Sequence, residues 1–419
     1  MNKSSRNIAE KKEEYSSRKR IAIFLLFLNV VTSAAVSIYI PCLRQMAIDL
    51  HTSNALLQMT IVVHLVGEFI GRFTCGPLID FYGSRRVVLP ALMLSILGHL
   101  GCFLADSLSL FMIMRFLQAT GSSVIYIVSV EIIIAEFNNE NERNGIVGIL
   151  ELYQPIAWIL SPFVGCIFAE IHGWRLSFLI LMISQVFGIF FFWIYHERTK
   201  NRALKVLSVA KYVCDYGSIL KNSHFVTYAL IPGLFAGGYM IFASNSPFIC
   251  ARILGNRSAD IAIFQAVPLI FYVLATFAYR SVVRGSSIKV AKKIGIGIYT
   301  IFGLYMTFVV AFEETWTAYH LLALMCLQCV GSAFLVPVSI LKALQSSAHV
   351  SCIGASTVVV FRNIIMSLCI SMGTKMSESI TMIMGAVFMN VGTVLVLMFA
   401  RKIMKKRYLK KINSANFDL

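Results

Sequence analysis

Three ionisable residues lie at regular spacing within one apolar stretch of the chain. His64, Glu68 and Arg72 follow one another at intervals of four residues, between Val63 and Cys75. Residues four apart in an α-helix share a face, so the three side chains should form a row. A carboxyl group between an imidazole and a guanidinium can either bind a proton or stay ionised and form an ion pair with the guanidinium. The row therefore predicts either proton transfer or a structural ion pair inside a helix.

Two further carboxyl groups, Glu131 and Glu151, lie near the ends of other apolar segments. A buried charge without a partner costs several kcal/mol, so these groups should meet the cationic end of the row at Arg72. The candidates for carrying a proton are therefore Glu68, Glu131, Glu151 and His64. One alternative stays open, a structural bridge from Arg72 to Glu68 or Glu151 with no further role.

Composition identifies the surroundings of these helices. The chain of 419 residues is 58% hydrophobic and 14% charged, with a mean hydropathy of +0.76. A soluble domain is roughly 45–50% apolar and about 25% charged. A helix needs about 20 apolar residues to cross a bilayer. Apolar runs of this length predict an all-α membrane protein with twelve transmembrane helices, at residues 21–43, 55–79, 87–105, 108–136, 145–168, 176–195, 224–249, 259–279, 293–312, 316–343, 350–373 and 379–400.

Basic residues predict the orientation of these helices. The formal net charge is +17, and most Lys and Arg residues fall in segments that an even number of helices places on the side of both termini. The positive-inside rule makes that side the cytoplasm, where the basic segments should contact anionic lipid rather than nucleic acid. The predicted organisation is a cytoplasmic basic arm (1–20), a six-helix bundle (21–195), a cytoplasmic linker (196–222), a second six-helix bundle (223–400) and a cytoplasmic basic tail (401–419).

Several classes of protein lack support in the sequence. It contains no GxxxxGK[ST] loop, no HExxH motif and no paired CxxC motif. The sequence therefore predicts no nucleotide-driven pump, no metal site and no cofactor. The lone CxxC from Cys326 to Cys329 lies in an apolar run, where cysteine packs as a small hydrophobe. We expect the protein not to be an enzyme, and any driving force should come from an ion or solute gradient.

The turn after the charged row carries a motif. GPLIDFYGSRR, residues 76–86, resembles motif A of the major facilitator superfamily, which lies between the second and third helices. The resemblance implies the major facilitator fold, with twelve helices in two six-helix bundles, and a secondary transporter of small molecules that works by alternating access. It also implies a cytoplasmic latch of charged and turn residues, formed by Gly76, Asp80, Gly83, Arg85, Arg86 and Glu136.

Two other segments resemble motifs of the same superfamily. RFLQATG resembles motif B and contains Arg115 and Gln118, which are predicted to contact substrate because an arginine should avoid lipid. The fifth helix resembles the antiporter motif C region, which implies a helix hinge at Pro155, Pro162 and Gly165. With YIP at 39–41 and SNSPF at 244–248, the chain looks like the Bcr/CflA branch of drug:proton antiporters of bacterial inner membranes.

Four more residues complete the predicted binding site. Arg362 is the lone charge of the eleventh helix, and is either a substrate contact or a structural arginine that reaches the interface. Tyr39, Tyr126 and Tyr239 could line an amphipathic pocket together with Arg72, although aromatic residues at helical spacing also pack in cores.

Departures from the branch shape the predicted function. Ser37 stands where the branch usually has an acid, while Glu68 and Arg72 add charge to the second helix. We predict proton-coupled export of a small amphipathic or charged compound by a monomer. The alternatives are a dedicated carrier of a polar metabolite, such as a siderophore, a peptide or an amino-acid derivative, which could also work inward, and a sensor or scaffold that does not transport.

Overall fold

The computed structural model describes residues 3–137, 146, 150, 153–195, 209–253, 258–312, 318–346 and 351–374, with side chains from Arg20 onwards apart from gaps at some helix ends. Every regular element within these ranges is helical. The first eight helices are α1 (Lys3–Ser37), α2 (Leu43–Asp49), α3 (Asn54–Tyr82), α4 (Ser84–Leu104), α5 (Leu108–Ser122), α6 (Val124–Glu136), α7 (Tyr153–His172) and α8 (Arg175–Tyr195). The other six are α9 (Val209–Lys221), α10 (Ser223–Ile253), α11 (Ser258–Gly285), α12 (Ile288–Phe312), α13 (Ala318–Ser346) and α14 (Ser351–Thr374).

Long apolar helices dominate these ranges, as the composition predicts. Within the described part of the chain, nine segments are long and apolar enough to cross a membrane. They are Arg20–Asp49, Asn54–Ile79, Arg86–Leu104, Leu108–Ile133, Tyr153–His172, Ser223–Cys250, Asp260–Gly285, Tyr319–Ser346 and Thr357–Thr374, and the apolar helix Arg175–Phe190 is shorter. The prediction of an all-helical membrane protein is confirmed, and the predicted helix at 379–400 lies outside the described residues.

The first helix differs from its predicted bounds at both ends. α1 begins at Lys3, within the stretch predicted as a basic arm, and ends at Ser37, before the predicted end at residue 43. Residues 3–37 contain neither glycine nor proline, so nothing in this stretch interrupts a helix. Pro41 then lies in the 3-10 turn Ile40–Cys42, where its fixed φ angle and missing N–H are tolerated. A short helix, α2, completes the segment.

The predicted fourth helix at 108–136 is divided into α5 and α6 at Ser123. The Ser122 hydroxyl donates to the Ala119 carbonyl at 3.3 Å, and the Ser123 hydroxyl donates to the Thr120 carbonyl at 3.0 Å. Serine hydroxyls that bond to preceding carbonyls compete with backbone hydrogen bonds and bend helices. The break therefore follows from the GSS sequence at 121–123.

The turn between α3 and α4 depends on a glycine. Gly83 has a φ of +82°, a conformation that residues with a Cβ rarely adopt, and its amide donates to the Ile79 carbonyl at 2.8 Å. The next helix starts at Ser84, directly after this turn. The glycine of the predicted latch therefore has a backbone reason to be present.

The chain divides into two compact units. The first contains residues 1–213 and 246–269, and the second contains residues 214–245 and 270–419. In the first unit α5 packs against both α3 and α4. A Cβ at Gly71 would collide with the Thr120 carbonyl, and one at Gly98 would collide with the backbone of Gln118. Small residues at these crossings let the helix backbones approach closely.

The second unit uses glycine in the same way on α10. A Cβ at Gly233 would lie 3.1 Å from the Arg362 Cα, and one at Gly237 would lie 2.6 Å from the Cys369 sulfur. On another side of α10, a Cβ at Gly238 would collide with the Gln328 side chain. α10 is thereby held close to both α13 and α14 within this unit.

Candidate functional site

The structure places His64, Glu68 and Arg72 in one buried row on α3. Their exposed fractions are 0%, 8% and 8%. One Glu68 carboxylate oxygen lies 3.7 Å from Arg72 Nη2 and 4.0 Å from His64 Nε2. The arginine contact is within ion-pair distance, whereas 4.0 Å is too long for a hydrogen bond. The carboxylate therefore stands between a paired cation and an imidazole that it does not directly bond.

Two tyrosines hold the cationic end of the row. The Arg72 guanidinium lies 5.8 Å from the centre of the Tyr126 ring and interacts with the Tyr153 hydroxyl through a side-chain hydrogen bond. The two tyrosine rings are 5.6 Å apart. Tyr126 was predicted from the sequence, but Tyr153 was missed. Its position near Glu151, at the start of an apolar run, was the one signal available for it.

His64 has an unusual environment for a fully buried imidazole. Among the described residues, neither of its ring nitrogens has a hydrogen-bond partner. Arg115, His99 and Arg72 all lie close enough to act on it electrostatically. Buried polar atoms are usually hydrogen-bonded, so an imidazole of this kind needs an explanation such as a transient proton or water. The imidazole is suited to passing a proton towards Glu68.

Arg115 is a second buried cation, and it is fully enclosed. Its Nη1 donates to the Ala35 carbonyl at 2.9 Å and to Gln118 Oε1 at 2.9 Å, while its guanidinium lies 4.5 Å from the centre of the Tyr39 ring. Its Nε and Nη2 atoms have no hydrogen-bond partner in the described part of the chain. Carbonyl and amide oxygens therefore supply its bonds, and two of its nitrogens could each donate a further hydrogen bond if an acceptor reached them.

Gln118 connects Arg115 to a residue that the sequence analysis missed. Gln118 Nε2 lies 2.8 Å from His99 Nε2, and His99 Nδ1 lies 2.8 Å from the Ser95 carbonyl oxygen. His99 is fully buried on α4. A polar residue in the middle of an apolar run was the available signal, but the contact with Gln118 depends on how α4 and α5 pack.

Tyr39 and Tyr239 are both core residues in this conformation. The Tyr39 side chain is fully buried, its hydroxyl lies 2.9 Å from Thr60 Oγ1, and its ring packs against Phe178 with centroids 5.8 Å apart. Tyr239 belongs to the second unit, where it is 6% exposed and its ring lies 6.2 Å from that of Phe242. Arg362 is half-buried in the same unit, on the part of α14 that faces Gly233.

The other two predicted acids are described to different extents. Glu131 is half-buried on α6, and both it and Arg72 act electrostatically on Cys75. The neighbourhood of the row therefore extends to Glu131. Glu151 lies outside the described residues.

The predicted latch is described only in part. Gly76 and Gly83 are half-buried, as is Glu136 at the end of α6, and Arg86 is exposed. The side chains of Asp80 and Arg85 lie outside the described part of the structure. The charge cluster that the latch requires therefore stays a prediction.

The predicted hinge coincides with a tight helix crossing. Pro155 is near the start of α7 and Pro162 lies inside this helix. A Cβ at Gly165 would collide with the Ile38 carbonyl oxygen, and one turn earlier Ser161 Oγ lies 2.6 Å from Ser37 Oγ. Close packing of α7 on the end of α1 therefore explains Gly165, and the hinge stays a prediction.

Metal and disulfide chemistry find no support in the described side chains. They contain no group of three or more His, Cys, Asp or Glu residues that could hold a metal ion. The nine described cysteines are free, including Cys326 and Cys329.

Comparison with known sequences identifies relatives. A family model described as Major Facilitator Superfamily matches residues 24–393. The chain is 25% identical to the chloramphenicol resistance protein of Pseudomonas aeruginosa, over 83% of this chain and 82% of that one. It is 26% identical to the uncharacterized MFS-type transporter YdgK of Bacillus subtilis, over 65% of each, and 26% identical to the multidrug resistance protein MdtL of Salmonella heidelberg, over 59% of this chain and 62% of MdtL. The matches to YdgK and MdtL thus cover less than two thirds of those proteins.

Solved structures share the fold at low sequence identity. A POT family transporter in complex with a thioalcohol-conjugated peptide aligns with a TM-score of 0.70 at 14% identity, over 92% of this chain and 96% of that chain. The xylose transporter XylE from E. coli aligns with a TM-score of 0.66 at 13% identity, over 91% and 97%. At this level of identity the likeness concerns the fold alone.

Proposed function

This chain belongs to the Major Facilitator Superfamily, a family of membrane transporters rather than enzymes, and we propose that it exports a small amphipathic or charged compound in exchange for protons. It would do so by alternating access, as a drug:proton antiporter resembling the Bcr/CflA branch. The low-identity relatives named for chloramphenicol and multidrug resistance support export as the direction.

The observation that carries proton coupling is the position of Glu68 between Arg72 and His64. Protonation of Glu68 removes its charge, so the ion pair with Arg72 at 3.7 Å is lost. Arg72 then becomes an uncompensated buried cation, which is costly until an anion or water reaches it. A cationic group on the substrate would compete with the proton for the Glu68 carboxylate, and a site at which the two exclude each other can couple their movements, because each favours a different state. Glu131 is the second candidate for the proton, and Glu151 the third.

Arg115 is proposed as a contact for the substrate. A buried guanidinium with two available nitrogens suits an acceptor oxygen or an anionic group on the transported molecule. Gln118 would hold the arginine in place, and Tyr39 would supply an aromatic face beside it. In the second unit, Tyr239 and Arg362 are separately proposed as substrate contacts.

Arg115 also favours one alternative function. A cation that bonds only carbonyl and amide oxygens among the described residues would suit a substrate with a carboxylate, such as a siderophore, a peptide or an amino-acid derivative. A dedicated carrier of this kind, exporting or importing, is the second candidate. A dedicated carrier should transport few compounds, whereas a drug exporter should accept many.

The latch and hinge residues are proposed to control conformation rather than affinity. Asp80 with Arg85 and Arg86 would close the cytoplasmic side in one state, and the segment around Pro162 would adjust as the bundle opens. Surface ion pairs are individually weak, but a network can bias a two-state equilibrium. Substitution of Asp80 should therefore change the transport rate and leave equilibrium binding within a few-fold.

We also propose that the protein is a monomer in the bacterial inner membrane, with both termini in the cytoplasm. The exposed Cys214 on α9 offers a direct test of orientation. An impermeant maleimide should label it in everted vesicles and not in intact cells. In a Cys214→Ser background, a cysteine at the exposed Asn54 should show the opposite pattern. Labelling of Cys214 from outside would overturn the orientation.

The test of function is a transport assay with a panel of compounds. Purified protein in proteoliposomes is given an imposed pH gradient, and each compound is tested for accumulation and for accelerated collapse of the gradient. Chloramphenicol, lipophilic cations, dipeptides and iron-free siderophores represent the two candidate functions. Accumulation together with faster collapse of the gradient for several hydrophobic compounds would support the exporter. The same two results for one polar class of compound would support the dedicated carrier. Accumulation that persists without any ion gradient would contradict proton coupling.

A further inference from the structure

A chain of directed hydrogen bonds joins two backbone carbonyls through Arg115, Gln118 and His99. It begins at the Ala35 carbonyl on α1 and ends at the Ser95 carbonyl on α4. Each of its four contacts is 2.8–2.9 Å long. Guanidinium N–H groups and amide NH2 groups can only donate, and carbonyl oxygens can only accept. The chain of contacts therefore determines which ring nitrogen of His99 carries a proton.

Arg115 can only donate hydrogen bonds. Its Nη1 contact must therefore be the oxygen of the Gln118 amide, and the Cys102 thiol, 3.9 Å from the same oxygen, agrees with this orientation. The other end of the amide is then the NH2 group, which can also only donate. It faces His99 Nε2 at 2.8 Å, so this ring nitrogen must carry no proton.

The other ring nitrogen of His99, Nδ1, carries the proton of the neutral imidazole. A neutral imidazole without a proton on Nε2 carries it on Nδ1, and Nδ1 of His99 faces the Ser95 carbonyl, which can only accept. All four contacts are satisfied by one arrangement of protons, with His99 neutral. A doubly protonated His99 would direct an N–H at the NH2 group of Gln118, which would place two donors against each other.

We infer that His99 is a positioning residue that controls Arg115 through the orientation of the Gln118 amide. When His99 binds a second proton, the amide must rotate so that its oxygen accepts from Nε2. The NH2 group then faces Arg115, which loses one of its two described acceptors. A proton on His99 thus frees the guanidinium to bind another oxygen ligand.

Among the described residues, the charged and titratable groups around His99 come from three helices. Arg115 on α5 and His64 on α3 both lie within electrostatic reach, and Cys102 is one turn along α4. Glu68 and Arg72 follow further along α3. His99 acts electrostatically on His64, so a proton on one imidazole opposes a proton on the other.

The packing of α4 on α5 explains why the chain is held so closely. A Cβ at Gly98 would collide with the backbone of Gln118, and one at Gly121 would collide with the Ala91 carbonyl oxygen. The two helices therefore approach with almost no side chain between them at this level. His99 and Gln118, next to these contacts, have little freedom to separate.

Solid-state NMR of the full chain in lipid bilayers can test the inference without any substrate. Gly98–His99 is the only Gly–His pair in the sequence, so labelling with 13C-carbonyl glycine and 15N histidine selects His99 directly. At neutral pH, His99 should give a protonated Nδ1 and an unprotonated Nε2. A protonated Nε2 in the wild-type protein would overturn the inference.

A single substitution should change the protonation of His99 Nε2. Gln118→Glu keeps the size of the side chain but replaces the NH2 donor by an acceptor, so His99 Nε2 should gain a proton. The matched control is Ser95→Ala, which keeps the carbonyl that Nδ1 contacts and should leave both nitrogens unchanged. An Nε2 that stays unprotonated in Gln118→Glu would contradict the inference, and the wild-type measurement decides it if this variant does not fold.

Acidification supplies the second readout. The protonation of His99 Nε2 and the change in the Gln118 side-chain amide signal should have the same midpoint, because one causes the other. Different midpoints would show that the amide does not respond to His99. Arg115 is assigned to the substrate only by the proposed function, so failure of the transport assay would leave this result standing, and the reverse also holds.

Discussion

The interiors of the two units differ in charge. In the first unit Glu68, Arg72 and Arg115 are buried, together with His64 and His99. In the described part of the second unit, the buried polar side chains are neutral, and include Asn245, Gln328, Ser332, Ser339 and Asn363. Both units pack helices through glycine, so the difference concerns the polar groups rather than the architecture.

This difference indicates a division of roles. Charges are expensive in a membrane protein, so a fold that collects them in one unit has a use for them there. The proposed function assigns proton binding to the charged unit, while the buried polar groups described in the second unit are neutral side chains that form hydrogen bonds. The comparison predicts that substitutions of polar residues are costly in the first unit and mild in the second.

The largest effect should come from Arg72→Met. It leaves Glu68 buried without its ion-pair partner, and removal of one partner of a buried pair costs about 3–5 kcal/mol. The free energy of unfolding in mixed micelles measures the loss. The double variant Arg72→Met with Glu68→Gln should recover most of it, because no charge is then left alone. A double variant no more stable than the single one would show that the pair is not what stabilises this region.

The next effect should come from Tyr153→Phe. It removes the hydroxyl that bonds Arg72, and a hydrogen bond to a charged group is worth about 1.5–3 kcal/mol. The control is Tyr319→Phe in the second unit, where the side chain is 73% exposed and little should change. Equal unfolding free energies for these two variants would show that the Tyr153 hydroxyl does not stabilise Arg72.

Two glycine substitutions compare the packing of the units. Gly165→Ala forces a methyl group against the Ile38 backbone carbonyl, which cannot move alone, so we expect a cost of about 1–3 kcal/mol. Gly237→Ala meets the Cys369 side chain at 2.6 Å, which can change rotamer, and should cost less than about 1 kcal/mol. Thermal unfolding in detergent measures both. A larger loss for Gly237→Ala would reverse the comparison.

Among the substitutions of charged residues, the smallest effect should come from Lys342→Met in the second unit. Lys342 is half-buried, with its Nζ 5.2 Å from the centre of the Tyr228 ring. A cation–π contact at such a site is worth about 0.5–1 kcal/mol. Its unfolding free energy should therefore fall far less than that of Arg72→Met. A comparable loss would mean that the second unit also depends on a buried cation.

Local spacing was sufficient to predict part of the site. The row on α3 follows from residues four apart, and its burial follows from the apolar residues around it. The helix break at Ser123 and the start of α1 at Lys3 were not anticipated. The break depends on competition between side-chain and backbone hydrogen bonds, and the early start of α1 depends on the absence of a helix breaker. The helix bounds were predicted from hydrophobicity, which neither feature changes.

The particular contacts that Arg115 and Gln118 make with other helices were beyond the reach of the sequence. Arg115 and Gln118 were identified through a motif, but their partner His99 lies on another helix and becomes evident only when α4 and α5 are packed. Tyr153 was missed for the same reason. Gly98 and Gly165 could have marked the crossings, because glycine in a membrane helix often does, but their opposing residues could not be named from spacing.

The central claim is that the charged row of the first unit couples transport to protons, and Glu68→Gln tests it most directly. In proteoliposomes, this variant should lose accumulation driven by a pH gradient yet keep downhill exchange of the same compound, because exchange needs no net change in protonation. Glu170→Gln, the same substitution at an exposed position of α7, should keep both activities. Full gradient-driven accumulation by Glu68→Gln would contradict the claim.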